Sequence, residues 1–245
     1  MAKFGFVPPS ILPEDWDRAL AVVAHPDDLE FGASSAIARW TAQGKVVEYL
    51  LATRGEAGID SIEPDRCRII RSAEQLASAR VVGVEGVSFL DYPDGMLTYS
   101  LDLRRDIARA IRRHQPEILV GINPHPTFSP DALNHADHRA IGEALLDAVR
   151  DAANRWLFPE LVAIEGLEPW HGVRFAAFGG SPVANHFVNV TDYLDKGIAS
   201  LAEHRTYLEN LAGDFDLAQF LRSNAENAGA EAGVPLAVTF EMVSF

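Results

Sequence analysis

The feature that most constrains the fold is a repeated alternation of short apolar runs with longer amphipathic segments. The apolar runs are rich in Val, Ile and Leu and lack polar alternation, which predicts strands buried on both faces of a sheet. They lie at Ala19 to Ala24, Val46 to Thr53, Val87 to Leu90 and Ile118 to Ile122. Residues at helical spacing follow each run, over about Leu29 to Gln43, Pro64 to Val82, Leu101 to His114 and Asp137 to Ala153. This order predicts an α/β fold, a Rossmann-like three-layer sandwich with a mostly parallel sheet and helices on both faces.

The second half of the chain carries the same pattern more weakly. Further strands are predicted at Leu161 to Glu165, Val173 to Phe178 and Phe187 to Val190, and a last helix at about Asp192 to Ala212. No repeat, low-complexity tract or linker divides the sequence. We therefore expect a single domain over residues 1–245, with residues 1–18 as an N-terminal extension.

Charge and hydropathy narrow the class of partner. The 245 residues are 48% hydrophobic, as expected of a globular protein, and carry a formal net charge of -14, which repels nucleic acid and anionic membranes. The first 18 residues do not resemble a secretory signal, and no apolar stretch is long enough to span a membrane. We expect a cytoplasmic protein with a small-molecule substrate, and a homo-oligomer is compatible with the sequence.

Polar side chains collect directly after two of the predicted strands. The first apolar run ends in the sequence HPDD, from His25 to Asp28, before helical spacing begins. The run ending at Ile122 is followed by a long loop, residues 123–138, that contains three histidines. Ligands of open α/β sheets bind at the carboxyl ends of the strands, so both turns are candidate functional segments.

The second turn places histidines at the start of a helix. Asn134 and Asp137 have the spacing of an N-cap and its acidic partner, which predicts a helix that begins near His135. His138 then falls on the apolar face of the first turn, with His135 beside it. Singly, an inward histidine is most often a hydrogen-bonded core residue and adjacent aspartates are often a helix cap. Together the two turns supply six donors that are costly to bury without a cation: His25, Asp27, Asp28, His135, Asp137 and His138.

Two imidazoles and one carboxylate suit a catalytic zinc ion that keeps an open position, and they also suit iron(II). The sequence His25-Pro26-Asp27 even has the His-x-Asp spacing of iron(II) oxygenases, but the alternation of strands and helices disfavours that class. A nucleotide-binding oxidoreductase is disfavoured because the Gly-x-Gly-x-x-Gly turn is absent after the first strand.

These motifs resemble the PIG-L or LmbE-like de-N-acetylases, zinc hydrolases that remove acetyl groups from compounds containing N-acetylglucosamine. The resemblance rests on AHPDDLEFG at residues 24–32 and NHADHRAIG at residues 134–142. Between them TRGEAG, RSAEQLASARVVGV and FLDYPDGML, at residues 53–58, 71–84 and 89–97, are similar to family segments in order and spacing. Together they cover about residues 19–150.

The resemblance implies a metal and a role for each matched residue. His25, Asp28 and His138 would bind Zn²⁺, with another divalent metal such as Fe²⁺ as the alternative. Asp27 would be the general base. His135 would be a positively charged group beside the developing oxyanion, acting as a proton donor or by its charge alone. Arg71 and Asp94 would contact sugar hydroxyls, Glu56 would line the same pocket, and Asp137 would orient a histidine or cap the helix.

The resemblance leaves the acceptor part of the substrate open. An amidase that cleaves a thiol-sugar conjugate would have the same catalytic residues, whereas a silent sugar-binding homologue is disfavoured because the base and all three ligands are present. Ala136 stands where the family commonly has proline, and a tyrosine of some members is replaced near Leu133. Outside these motifs we interpret His204 as structural, and Trp156, Trp170 and Phe128 as core residues.

Overall fold

The computed structural model describes residues 8–211 and 216–245, and its centre is an eight-stranded sheet. The strands of this sheet are β1 (Ser10–Ile11), β2 (Arg18–Val23), β3 (Val46–Leu51), β4 (Gly86–Phe89), β5 (Ile118–Ile122), β8 (Phe175–Gly179), β9 (His186–Asn189) and β10 (Ala237–Ser244). A separate two-stranded ribbon is formed by β6 (Thr127–Ser129) and β7 (Ala132–Leu133).

The helices in the described part of the chain form two groups. They are α1 (Asp28–Gly32), α2 (Ser34–Ala42), α3 (Pro64–Val81), α4 (Leu101–His114), α5 (Ala136–Ala153), α6 (Glu160–Ala163), α7 (Leu194–Leu201), α8 (Arg205–Glu209) and α9 (Leu217–Ala232). Helices α4 and α5 pack against each other and against β2, while α7 packs against α2, α3 and α9. The predicted α/β fold, a mostly parallel sheet surrounded by helices, is confirmed.

The strand order places a switch in winding at the middle of the sheet. The order is β1-β9-β10-β8-β5-β2-β3-β4, and β10 runs antiparallel to both of its neighbours, whereas the other pairings are parallel. From β2 the chain moves outward to β3 and β4, and then returns to β5 on the other side of β2. Residues Ala19 to Ala21 pair with Ile118 to Val120, so the turns after β2 and β5 leave the sheet side by side. Such a switch point is where α/β proteins bind ligands.

The helix predicted over Leu29 to Gln43 is two helices. α1 ends at Gly32 and α2 begins at Ser34, with Ala33 between them at φ −144°. A Cβ atom built on Gly179 would lie only 2.8 Å from the carbonyl oxygen of Gly32. The break therefore lies where the end of β8 approaches the helix, and this contact was not apparent in the helical spacing.

Two predictions for the second half of the chain are wrong. Residues Leu161 to Glu165 are not a strand. Leu161 to Ala163 belong to the short helix α6, whose N-cap residue is Pro159, and Leu161 is the buried residue of that helix. The helix predicted from Asp192 to Ala212 is divided into α7 and α8, with the fully buried His204 between them. Ala212 lies outside the described residues. The sequence analysis also did not identify β1, the β6–β7 ribbon, α9 or β10.

Two of the three aromatic residues interpreted as core are exposed. Trp156 is 81% exposed and Phe128 is 40% exposed, whereas Trp170 packs against the core and donates its indole N–H to the carbonyl of Pro116 at 2.7 Å. Phe128 belongs to the β6–β7 ribbon, which stands outside the main sheet. No helix in residues 8–211 and 216–245 combines the length and apolarity needed to cross a membrane.

Candidate active site and metal centre

The turns after β2 and β5 bring together three side chains that lie far apart in the sequence. The Nδ1 atom of His25 lies 3.2 Å from the Nε2 atom of His138. The Oδ1 atom of Asp28 lies 3.0 Å from that Nε2 atom and 3.5 Å from the Nδ1 atom of His25. Two ring nitrogens and one carboxylate oxygen thus face a common point.

The spacing of these three atoms fits a metal ion. Ligand atoms at about 2.0–2.2 Å from a tetrahedral zinc lie about 3.3–3.6 Å from one another. The Oδ2 atom of Asp28 accepts backbone N–H groups from Ala24 at 3.0 Å and His25 at 2.9 Å, which leaves Oδ1 directed at the histidines. The donor set is that of a three-ligand catalytic site with an open position.

The second nitrogen of each ring is held by an acceptor, so in the neutral form of each ring the nitrogen at the common point carries the lone pair. The amide nitrogen of Asn134 donates to the backbone carbonyls of Asn123 and His125, which leaves its Oδ1 to accept the Nδ1–H of His138 at 2.8 Å. The Nε2 atom of His25 lies 3.2 Å from Oδ1 of Asp94 and 3.2 Å from Oδ2 of Asp137. Such contacts orient metal-binding histidines and select their tautomer.

The electrostatics of this cluster favour a positive charge at its centre. Although burial opposes the charged form, the carboxylates of Asp28, Asp137 and Asp94 raise the pKa of His25 well above its usual range. Burial likewise opposes ionisation of Asp28, but His138 and His25 hold the pKa of its carboxyl well below its usual range. A bound cation would neutralise the same buried carboxylates.

Asp27 lies next to this cluster in a constrained conformation. Its φ angle is 98°, in the left-handed region that few side chains other than Asn and Asp adopt. Its backbone N–H donates to Oε1 of Gln75 at 3.1 Å, and the amide nitrogen of Gln75 donates to the buried carboxylate of Glu30 at 2.9 Å. Burial raises the pKa of Asp27 to about 6, and Arg71, whose guanidinium lies 3.2 Å away, limits the rise. A carboxylate with such a pKa can accept a proton near neutral pH and release it again.

His135 lies at the open side of the cluster. It is the N-cap residue of α5, and its Nδ1 atom accepts the backbone N–H of Asp137 at 3.2 Å, so Nε2 carries the proton of the neutral ring. Its ring centroid is 4.9 Å from that of His25 and 5.4 Å from that of His138. Burial and the charge of His25 lower the pKa of His135, which favours a neutral imidazole over the protonated one implied by the resemblance. A ring nitrogen of His135 also lies close enough to ring nitrogens of His25 and His138 for the three histidines to form an alternative set of metal ligands.

The three residues expected to bind the substrate, Arg71, Asp94 and Glu56, are largely engaged with the protein. Arg71 is only 2% exposed, donates to the carbonyls of Pro26 and Gly55, and stacks over the ring of Tyr207 at 4.2 Å, so it is not a solvated surface residue. Asp94 accepts the backbone N–H of Ala57 at 2.8 Å in addition to its contact with His25.

Glu56 does not line the pocket in which Arg71 and Asp94 lie. Its Oε1 atom accepts the backbone N–H of Asp94 at 3.0 Å, and Oε2 accepts that of Arg54 at 3.3 Å. Its side chain is directed at the backbone, so it supports the turn that carries Asp94. The expectation that Glu56 lines the pocket is therefore wrong.

A cavity of about 600 Å³ opens above the cluster. Its walls include the carboxylates of Asp27, Asp28 and Asp94, the imidazole rings of His25, His135 and His138, and Arg71. Side chains from α8 and α9 complete the lining. A cavity of this size is in the range of about 300–1,000 Å³ that accommodates small-molecule ligands.

Several residues of the site were not identified from the sequence. Gln75 lies one helical turn after Arg71, and that spacing is the only sequence signal for its contact with Asp27. Tyr207, Phe220 and Asn224 line the cavity from segments that carry no motif. Asn134 was interpreted as a helix cap, but His135 caps α5, and Asn134 instead accepts a hydrogen bond from His138.

Replacing Asp137 with asparagine tests the role of the acceptors behind His25. Asp137 is fully buried and also accepts the backbone N–H groups of Gly95 and Leu97, so asparagine retains part of its contacts but loses the charge facing His25. We expect metal affinity to fall about 10- to 100-fold, measured by competition with a chromogenic chelator. Asp147→Asn, at a half-exposed carboxylate of the same helix, is the control and should not alter affinity. Equal affinity in both variants would contradict the assigned role.

Comparison with known proteins places this geometry in a family. The model of the GlcNAc-PI de-N-acetylase family, PIG-L, matches residues 20–149, which include both turns of the candidate site. The chain belongs to the PIG-L family. It is 28% identical over 194 residues to a diacetylchitobiose deacetylase of Thermococcus kodakarensis, covering 78% of this chain and 70% of that protein.

Two further relatives extend the likeness of this PIG-L family member. A protein of Bacillus cereus described as a probable N-acetyl-alpha-D-glucosaminyl L-malate deacetylase 2 is 28% identical over 205 residues, covering 80% of this chain and 86% of that protein. The solved structure of an N,N'-diacetylchitobiose deacetylase from Pyrococcus horikoshii superposes with a TM-score of 0.84 at 26% identity, covering 94% of this chain and 85% of that one. The fold and the family are therefore shown independently by sequence and by structure.

Proposed function

We propose that the protein is a metal-dependent hydrolase that removes the N-acetyl group from a small molecule containing N-acetylglucosamine. The observation that carries this proposal is the convergence of His25, Asp28 and His138 next to the buried carboxylate of Asp27, at the base of a ligand-sized cavity. Membership of the PIG-L family and the names of the relatives support the same substrate class.

The residues that would hold the metal are His25 through Nδ1, Asp28 through Oδ1 and His138 through Nε2. Their nitrogen and oxygen donors suit Zn²⁺ first and Fe²⁺ second. When bound at such a site, a divalent metal supplies Lewis acidity, which polarises an amide carbonyl and lowers the pKa of water.

We assign Asp27 as the residue that moves the proton. It immediately precedes Asp28 in the same turn, and it borders the cavity. We assign it to accept a proton from the attacking water and to deliver that proton to the leaving amine nitrogen. The ion pair with Arg71 and the hydrogen bond from its backbone to Gln75 hold the carboxylate in place.

We assign His135 to stabilise the oxygen of the tetrahedral intermediate. Because its Nδ1 atom accepts a backbone N–H, its Nε2–H is the group available to donate toward the cavity. A neutral imidazole can make this hydrogen bond without carrying a resting positive charge. One well-placed donor of this kind contributes about 10²–10³-fold to kcat in other hydrolases.

Acetate release from a panel of N-acetylglucosaminides, with and without a chelator, tests the proposal. We expect the metal-loaded protein to release acetate, a chelator to reduce release to background, and added Zn²⁺ to restore it. The panel should include a thiol conjugate of glucosamine, because cleavage of that amide in preference to the acetyl group would redirect the assignment to the related amidase reaction. Acetate release that persists in the metal-stripped protein would refute metal dependence.

A further inference from the structure

The catalytic cavity contains three aromatic side chains for which the proposed reaction has no use. Phe31, Phe128 and Phe220 line it from α1, from the β6–β7 ribbon and from α9. Phe128 is 40% exposed and Phe220 is 38% exposed. Large apolar side chains left accessible in a concave site mark a binding surface for an apolar group. We call these three residues the phenylalanine wall.

The phenylalanine wall is continuous with the catalytic cluster. The ring of Phe128 lies 6.0 Å from that of His138, and the rings of Phe31 and Phe220 lie 6.4 Å apart in an edge-to-face arrangement. Phe31 is one helical turn beyond Asp28 on α1. A group that extends from the reacting amide into this part of the cavity would therefore contact aromatic rings directly.

Glycine backbone forms the surface between the rings. A Cβ atom built on Gly180 would lie 4.0 Å from a ring carbon of Phe128, and one built on Gly32, the residue after Phe31, would lie 3.7 Å from the backbone of Gly179. No side chain therefore projects from Gly32 or Gly180 between Phe128 and Phe31. A ring of the substrate can approach the aromatic side chains here without meeting another side chain from these glycines.

Outside the metal cluster and its histidines, the cavity offers little to pair with an anion. Of the described residues that line it, Arg71 is the only arginine or lysine, and its guanidinium is already paired with Asp27 and with two backbone carbonyls. Asp27, Asp28 and Asp94 are carboxylates in the same lining. An acceptor carboxylate or phosphate that lies away from the metal would therefore find no free arginine or lysine among the described lining residues.

We propose that the acceptor part of the substrate, the portion attached to N-acetylglucosamine, is uncharged and lays a ring face on the phenylalanine wall. The proposal rests on the proposed deacetylase function and adds the substrate class that this chain selects. It distinguishes the protein from an enzyme that acts on a malate conjugate, because malate carries two carboxylates. A second sugar ring and an aryl group share the required chemistry, since both present a flat face with little charge.

Two matched pairs of substrates test the proposal in the metal-loaded protein. The first pair is the phenyl and the methyl N-acetylglucosaminide of the same anomeric configuration, and the second is the malate conjugate and its dimethyl ester. We expect kcat/KM to be at least about tenfold higher for the phenyl glycoside and for the ester, because ring burial and removal of unpaired charge each contribute on this scale. A neutral N-acetylglucosamine disaccharide, run alongside, shows whether a sugar ring obtains the same preference over the methyl glycoside.

Variants of the wall identify the surface responsible. In Phe220→Ala and Phe128→Ala we expect the phenyl-to-methyl ratio to fall at least about threefold, because the ring that contacts the acceptor is lost. Trp156→Ala removes an exposed aromatic side chain that does not line the cavity, and it should keep the wild-type ratio. Thermal unfolding of each variant shows that the fold is intact.

Binding of the same ligands to metal-loaded Asp27→Asn protein, measured by calorimetry, separates this proposal from the proposed function. If the metal-loaded wild-type protein releases acetate from no glycoside but the phenyl ligand still binds the Asp27→Asn protein more tightly than the methyl ligand, the deacetylase proposal fails and the acceptor proposal stands. The acceptor proposal is overturned if the phenyl and methyl compounds are equivalent in both assays, if the malate conjugate is preferred over its ester, or if the wall variants retain the full ratio.

Discussion

Asp27→Asn protein should keep its full metal content and lose about 10²–10⁴-fold in kcat, because asparagine cannot accept the proton that the reaction requires a base to move. Asparagine is the suitable replacement, since it tolerates the left-handed backbone that Asp27 adopts at φ 98° and can still accept a hydrogen bond from Arg71. Metal analysis and acetate release on the same preparation provide the two measurements.

Asp91→Asn is a matched control for this variant. Asp91 also has a positive φ angle, 60°, and also pairs with arginine, in its case Arg54 and Arg68, but it does not line the cavity. The control should therefore retain wild-type kcat. If metal-loaded Asp27→Asn protein also retained wild-type kcat, Asp27 would not be the base.

Removing a proposed metal ligand should have a comparably large effect through a different route. In His138→Ala the Nε2 atom that faces both His25 and Asp28 is lost, and in Asp28→Asn the charge is lost while the backbone contacts of Oδ2 are retained. For both variants we expect metal content to fall to a small fraction of that of the wild type and acetate release to fall to background. Plasma emission spectrometry of dialysed protein measures the metal.

His135→Ala decides between the ligand set completed by Asp28 and the three-histidine set. If Asp28 completes the site, this variant keeps its metal and loses about 10²–10³-fold in kcat, because only the donor to the oxyanion is missing. Loss of metal from His135→Ala, with retention in Asp28→Asn, would instead establish the three-histidine set formed with His25 and His138.

The contact between the two halves of the site was predictable from the sequence because it follows from a general property of parallel sheets. His25 and His138 are 113 residues apart, yet each lies in a segment that follows one of two neighbouring parallel strands, whose carboxyl ends lie side by side. The residues that select their tautomers were only partly predictable. Asp137 was identified as a neighbour of the histidines, whereas the contact of Asp94 with His25 depends on the shape of the turn after β4.

The surroundings of Arg71 show what reasoning from the sequence missed. An arginine on a helix face is usually solvated, and the family resemblance implied a contact with sugar hydroxyls. In the structure its guanidinium is buried between Asp27, Gly55 and the ring of Tyr207, which comes from α8. The position of α8 depends on the break at His204, and helical periodicity contained no sign of that break.

The sequence by itself determined the α/β class, the parallel centre of the sheet and the pair of turns that carry the candidate catalytic side chains, because apolar periodicity and strand direction are local properties of the chain. Only the tertiary structure decided which carboxylate faces which ring nitrogen, where β10 enters the sheet and which side chains cover the cavity. These features depend on contacts between segments without periodic signal, and their free energy comes from packing across the whole fold.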